Sequence, residues 1–213
     1  MSNFYEIVVE DWLFRIQPPE DQNSRRVILA IHGWTGNQYS MDIFTLKLRA
    51  RQWIIFPCAP YPAEGGGFSW IPNSTADQKD LQLLNVAAQN LHSRINLILH
   101  GKLSIEPEQL NLMGFSQGAA LALIYSLSYL KEPAKIALMS GFMPMDLSRK
   151  PAGLAIHSFL ITHGKQDPII PVDQAYRLVT FVKSCGGQAS LCVADTGHKL
   201  DQACLNKIQE FLR

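Results

Sequence analysis

The chain has 213 residues, 47% of them hydrophobic and 17% charged. That length favours a single domain over 1–213, long enough to bury a core without disulfide or metal staples. Lys and Arg number 19 against 18 Asp and Glu, a formal charge of +1, which argues against the concentrated basic surface that a nucleic-acid partner or polybasic membrane contact needs.

The start, MSNFYEIVVEDW, has neither a basic stretch nor a long apolar one, so no leader is expected. No apolar run reaches the roughly 20 residues of a spanning helix. The longest, Gly118 to Leu130, stops at Lys131, Glu132 and Pro133. Cys58, Cys185, Cys192 and Cys204 show no CxxC pair or regular spacing, so reduced, buried thiols in a cytoplasmic protein are expected.

Strand-like runs fall at Tyr5 to Val9, Leu13 to Ile16, Val27 to Ile31 and Trp53 to Phe56, then at Gln109 to Met113, Lys135 to Met139, His157 to Thr162 and Ala189 to Val193. The first two have no helix between them and predict an antiparallel hairpin. Helical patterns follow at Met41 to Gln52, Ala76 to Leu99, Gln117 to Leu130, Asp173 to Lys183 and Leu200 to Phe211. In the second, Leu84, Ala88, Leu91, Ile95 and Ile98 recur at helical spacing, with Ser74 and Asp77 as a capping signal. Alternation of strand and helix implies an α/β fold, a mostly parallel sheet with helices on both faces. In such sheets chemistry gathers beyond the carboxyl ends of the strands.

Beyond the Leu110 to Met113 strand lies Gly114-Phe115-Ser116-Gln117-Gly118, then an Ala- and Leu-rich helix. A serine on a sharp strand-to-helix turn exposes its hydroxyl only if its neighbours lack side chains that would collide, which the two glycines supply. The hydroxyl needs a base, and the base an orienting acid. His32, His92 and His100 precede Ser116, and His157 opens a strand. His163 would need an earlier acid such as Asp146. His198, in a loop between the last strand and last helix, is the expected base, and Asp167, after the preceding strand, the expected acid. Asp173 reads as a helix N-cap and Asp201 as a complement to the last helix dipole, while Asp195 lies in the same short turn as His198. Two backbone amides must stabilise the oxyanion: Gln117, after the serine, and Trp34 in His32-Gly33-Trp34-Thr35-Gly36, with Thr35 second. His32 itself reads as structural.

These pieces resemble the phospholipase/carboxylesterase family of small α/β-hydrolases, which includes acyl-protein thioesterases. The resemblance rests on IHGWTGN, the Pro60 to Pro72 segment with Gly65-Gly66-Gly67 and Trp70, LMGFSQGAALAL, LMSGFMP, THGKQDPIIP and TGHK. It implies an α/β-hydrolase fold without a large lid domain, with Ser116, Asp167 and His198 catalytic and Trp34 and Gln117 forming the oxyanion hole. Two segments depart from the pattern: Trp34-Thr35 stands where a small aliphatic residue and Gly are common, and Trp70 is followed by Ile-Pro. Phe68, Trp70, Phe142 and Met143 are expected to wall the acyl pocket. The expected activity is hydrolysis of short to medium acyl esters through an acyl-enzyme. Protein S-acyl thioesterase or lysophospholipase action is the alternative, and non-catalytic ligand binding a more distant one. The expected partner is a small-molecule ester, with no metal, organic cofactor or stable membrane insertion, and a homodimer is left open.

Overall fold

The computed structural model describes residues 4–72, 79–145, 147 and 154–213. In chain order its elements are β1 (Tyr5–Val9), β2 (Trp12–Gln17), β3 (Arg26–Ile31), α1 (Asp42–Thr45), β4 (Trp53–Pro57), β5 (Tyr61–Pro62), β6 (Phe68–Ser69) and α2 (Leu81–Asn96). Then come β7 (Gln109–Phe115), α3 (Gln117–Tyr129), β8 (Lys135–Met139), β9 (Ser158–Gly164), α4 (Asp173–Ser184), β10 (Gln188–Ala194) and α5 (Gln202–Phe211). One eight-stranded sheet runs β1-β2-β4-β3-β7-β8-β9-β10. All eight predicted strands are present, and the first two form the expected hairpin, with Val9 opposite Trp12 across a turn of Glu10 and Asp11. Both turn residues have positive φ, the geometry that matches the strand twist. In that sheet every neighbouring pair from β4 across to β10 is parallel, while β2 meets β4 antiparallel and β5 and β6 form a separate antiparallel pair.

Alternation along β3 divides the interior. Val27, Leu29 and Ile31 join the α2, α3 and α4 side chains, including Leu91, Leu121 and Leu178, on one face. Ile28 and Ala30 join Ile54, Phe56, Met113 and α5's Ile208 on the other. The continuous apolar runs arise because these strands are covered on both sides. α3 is buried from Gln117 to Ser126, so it is apolar all round rather than striped.

Three local expectations are corrected. Only Asp42–Thr45 of the Met41 to Gln52 segment is α-helix. The chain goes on in three-residue turns, Leu48 N–H to the Thr45 carbonyl and Arg51 N–H to that of Leu48, while the Asp42 carbonyl accepts from the Thr45 hydroxyl and the Arg49 guanidinium. α2 begins at Leu81, where the Asp80 carboxylate caps the amides of Gln82 and Leu83; the predicted start at Ala76 and its Ser74 and Asp77 signal lie outside the described residues. Val172, not Asp173, is the N-cap of α4, and Asp173 occupies its first turn.

The cysteines also differ from expectation. Cys192 of β10 and Cys204 of α5 form a disulfide with Cα atoms 5.8 Å apart, leaving Cys58 and Cys185 free. The bond arises because α5 folds back across β10, a tertiary event that sequence spacing does not encode.

Candidate active site

The loops after β3, β7, β8, β9 and β10 all leave carboxyl ends of neighbouring parallel strands, and together they carry the residues of interest. Ser116 stands at the β7–α3 junction with φ 53° and ψ −117°, a conformation an L-residue holds only when the surroundings enforce it. Its amide donates to the Met139 carbonyl at 2.8 Å. The glycine requirement is steric: a Cβ at Gly114 would lie 2.2 Å from the Gly118 carbonyl oxygen, and one at Gly118 would lie 2.3 Å from that of His32.

The Asp167 carboxylate is fully buried, and both of its oxygens accept hydrogen bonds. One oxygen accepts from the amides of Ile169 and Ile170, each at 2.9 Å. The other accepts from His198 Nδ1 at 2.6 Å. Burial opposes its ionisation, but the Ile170 amide, the His198 ring and the Ile169 amide outweigh that, so its pKa lies below the usual carboxylate value. An ionised carboxylate only accepts, so His198 Nδ1 carries the proton and the neutral ring keeps its lone pair on Nε2. The ring also packs against Phe115, centroids 5.0 Å apart. His163 lies beneath this pair: its Nε2 donates to the Ile170 carbonyl at 2.8 Å and sits 3.4 Å from the same Asp167 oxygen that His198 holds. Asp195 instead accepts from Gln166 at 2.9 Å, and Asp201 caps α5 through the Cys204 amide.

Ser116 and His198 share a cavity of about 550 Å³ with Trp34, Thr35, Lys79, Phe115, Phe142, Ile169 and Ile170. Of the four expected wall residues, Phe142 lines it and Phe68, Trp70 and Met143 do not. Trp70 is 1% exposed; its indole N–H donates to the His32 carbonyl and its ring packs on Trp12. Phe68 faces a neighbouring depression with Trp12 and Cys58, and Met143 packs against the main core. Thr35, which the sequence offers as the second candidate for the oxyanion amide, also lines the cavity, and Lys79, Phe115, Ile169 and Ile170 are wall residues that the sequence reading does not assign. The last two directly follow Asp167-Pro168, so adjacency to the acid was the available signal.

The segment after β3 forms a turn in which the Gly36 amide returns to the Gly33 carbonyl at 3.0 Å. Thr35 takes φ 64° there, a position that favours glycine over a β-branched residue. The Phe68 amide clamps the turn through the Gly36 carbonyl at 2.9 Å. Behind it, the Gln117 side chain accepts from the Trp70 amide at 3.0 Å, which ties the start of α3 to the Phe68–Trp70 segment. Gln117 opens α3, so its own N–H has no acceptor one turn earlier in the helix.

His32 is buried beneath that turn, with Nδ1 donating to the Gly33 carbonyl at 2.6 Å and Nε2 accepting from the Ala59 amide at 3.0 Å. Burial lowers its pKa from 6.5 to about 4. The unfolded chain therefore binds a proton that the folded one refuses, and stability falls as pH drops from about 6.5 to about 4, then levels off. The expected loss is about 3 kcal/mol. Thermal melts over that window should show it. His92 and His157, also lowered by burial, add to the same slope, so the contribution of His32 is the part that flattens in His32→Asn. An identical slope in the variant would contradict this assignment.

Among the described residues no group of three or more His, Cys, Asp or Glu is arranged to hold a metal ion, and no helix is long and apolar enough to cross a membrane.

Sheet order, elbow and carboxylate–imidazole pair together define an α/β-hydrolase. The phospholipase/carboxylesterase family model matches residues 13–213, and the chain belongs to that family. It is similar to the Arabidopsis thaliana protein named "Probable carboxylesterase SOBER1-like", at 26% identity over 91% of this chain and 80% of that one. Acyl-protein thioesterase 1 of Saccharomyces cerevisiae is 28% identical over 77% of this chain and 80% of its own length. Among solved structures, a carboxylesterase from Mesorhizobium loti superposes with a TM-score of 0.80 at 15% identity, covering 97% of this chain and 98% of that one, a likeness of fold.

Proposed function

We propose that this protein is a serine-dependent carboxylic ester hydrolase working through an acyl-enzyme. The reading rests on one observation above all: the Asp167–His198 pair opens into the same cavity as the strained Ser116 elbow. Ser116 Oγ attacks the acyl carbonyl as His198 Nε2 takes its proton. The amides of Trp34 and Gln117 receive the developing oxyanion. As the tetrahedral intermediate collapses, His198 protonates the leaving alcohol and the acyl group stays on Ser116. Water then repeats the sequence and frees the acid. Throughout, Asp167 keeps the proton on Nδ1 and stabilises the imidazolium.

The apolar walls of Trp34, Phe115, Phe142, Ile169 and Ile170 suit an acyl chain, and about 550 Å³ suits a short to medium one. On p-nitrophenyl esters of graded length, kcat/KM is expected to peak at butyrate to octanoate and to exceed any activity on emulsified triolein. Faster turnover at the triolein interface than on soluble butyrate would overturn the substrate assignment. The similarity to a yeast acyl-protein thioesterase favours a second reading, thioester cleavage by the same groups. A matched pair of butyryl ester and butyryl thioester separates the two, since only a thioesterase prefers the thioester by more than its intrinsic reactivity.

A further inference from the structure

The Cys192–Cys204 disulfide brackets the segment that carries His198. We propose that this bond positions His198 against Asp167, so that turnover follows the oxidation state of the pair; the inference rests on the serine-hydrolase reading above.

β10 is an edge strand whose one neighbour in the sheet is β9, and α5 follows it in the chain. Residues 195–201 between them are neither helix nor strand. On one side this loop is pinned to the end of β9, with the Lys165 amide on the Ala194 carbonyl at 2.7 Å and the Gln166 amide on that of Thr196 at 2.9 Å. On the other side its support is Leu200, which packs both on a small apolar cluster of Cys192, Ala194 and Cys204 and on the core face that holds Met113 and Ile208. The disulfide is the covalent part of that cluster, and its cysteines are 6% and 2% exposed.

A dithiol reductant opens the bond by exchange. One of its thiolates attacks a cysteine sulfur and the other cysteine leaves as a thiolate that takes a proton. The second reductant thiol then displaces the mixed disulfide, so the reductant supplies two electrons and ends as its own disulfide. Two thiols sit farther apart than two bonded sulfurs, so reduction frees α5 from β10 for shifts on the order of an ångström. Displacements of that size at a reacting group cost up to about 100-fold in rate. Apart from His198 itself, the residues lining the cavity come from other segments, so substrate binding is spared.

The test uses the full chain on p-nitrophenyl butyrate, oxidised and after dithiothreitol, with thiols counted after denaturation. The count should rise from the two of Cys58 and Cys185 to all four. Reduction is expected to lower kcat about ten-fold or more with KM changed less than two-fold. Cys192→Ser/Cys204→Ser and the better-filling Cys192→Ala/Cys204→Val should both show the low kcat and no response to dithiothreitol, whereas Cys58→Ser/Cys185→Ser should respond like the parent. Unchanged kcat in protein with four free thiols overturns the proposal. So does a loss of kcat matched by loss of the folded circular dichroism signal, which would make the bond a general staple. Absence of turnover in the oxidised protein defeats the hydrolase reading instead, and the positioning role with it.

Discussion

Ser116→Ala is expected to reduce ester hydrolysis by roughly 10⁵- to 10⁶-fold, the scale on which serine hydrolases lose kcat when the nucleophile is removed. What remains should be the slow direct attack of water on the bound ester, helped only by binding and the oxyanion amides. The variant should fold as the parent does. The elbow is shaped by the close approach of Gly114 to Gly118 and of Gly118 to the His32 carbonyl, and alanine keeps the one Cβ that serine already places there. A melting temperature within a few degrees of the parent, measured beside the rate, separates loss of chemistry from loss of fold. Substantial turnover by the folded variant would leave the elbow as a structural turn and favour non-catalytic ligand binding.

Asp167→Asn should cost about 10⁴-fold in kcat. An asparagine can offer its amide N–H to the ring where the carboxylate accepted, which moves the imidazole proton to Nε2 and removes the lone pair that Ser116 needs. It also deprives the imidazolium of a counter-charge in a buried setting. The Ile169 and Ile170 amides can still be accepted by the remaining carbonyl oxygen, so the loop should survive. Asp195→Asn, which alters an exposed hydrogen bond to Gln166, should change kcat by less than two-fold. Steady-state kinetics on both variants decide the matter, and a reversal of the two effects would reassign the orienting acid.

The parts of this site that the sequence reveals are those fixed by backbone geometry. Gly114-Phe115-Ser116-Gln117-Gly118 is legible because only glycines clear the contacts at that turn, and Asp167 and His198 are legible because strand ends in a parallel sheet converge on one edge. Side chains whose role depends on direction were not legible. Trp70 looks like a pocket wall in the sequence, yet its indole N–H reaches the His32 carbonyl and turns the ring into the core. Ile169 and Ile170 look like ordinary loop apolars, yet they line the cavity because the Asp167 carboxylate draws their amides around itself. The segment from Met41 has helical spacing, but side chains of Thr45 and Arg49 take the Asp42 carbonyl. The disulfide was hidden for a similar reason, since Cys192 and Cys204 meet only after α5 has packed on β10.

The central claim is that Ser116 is the activated nucleophile of this cavity. Intact-mass spectrometry after exposure to a fluorophosphonate tests it most directly, because phosphonylation requires a hydroxyl with a working base beside it. The parent should gain one adduct, mapped to the peptide carrying Ser116, and Ser116→Ala should gain none. An unlabelled parent, or an adduct that persists in Ser116→Ala, would contradict the account.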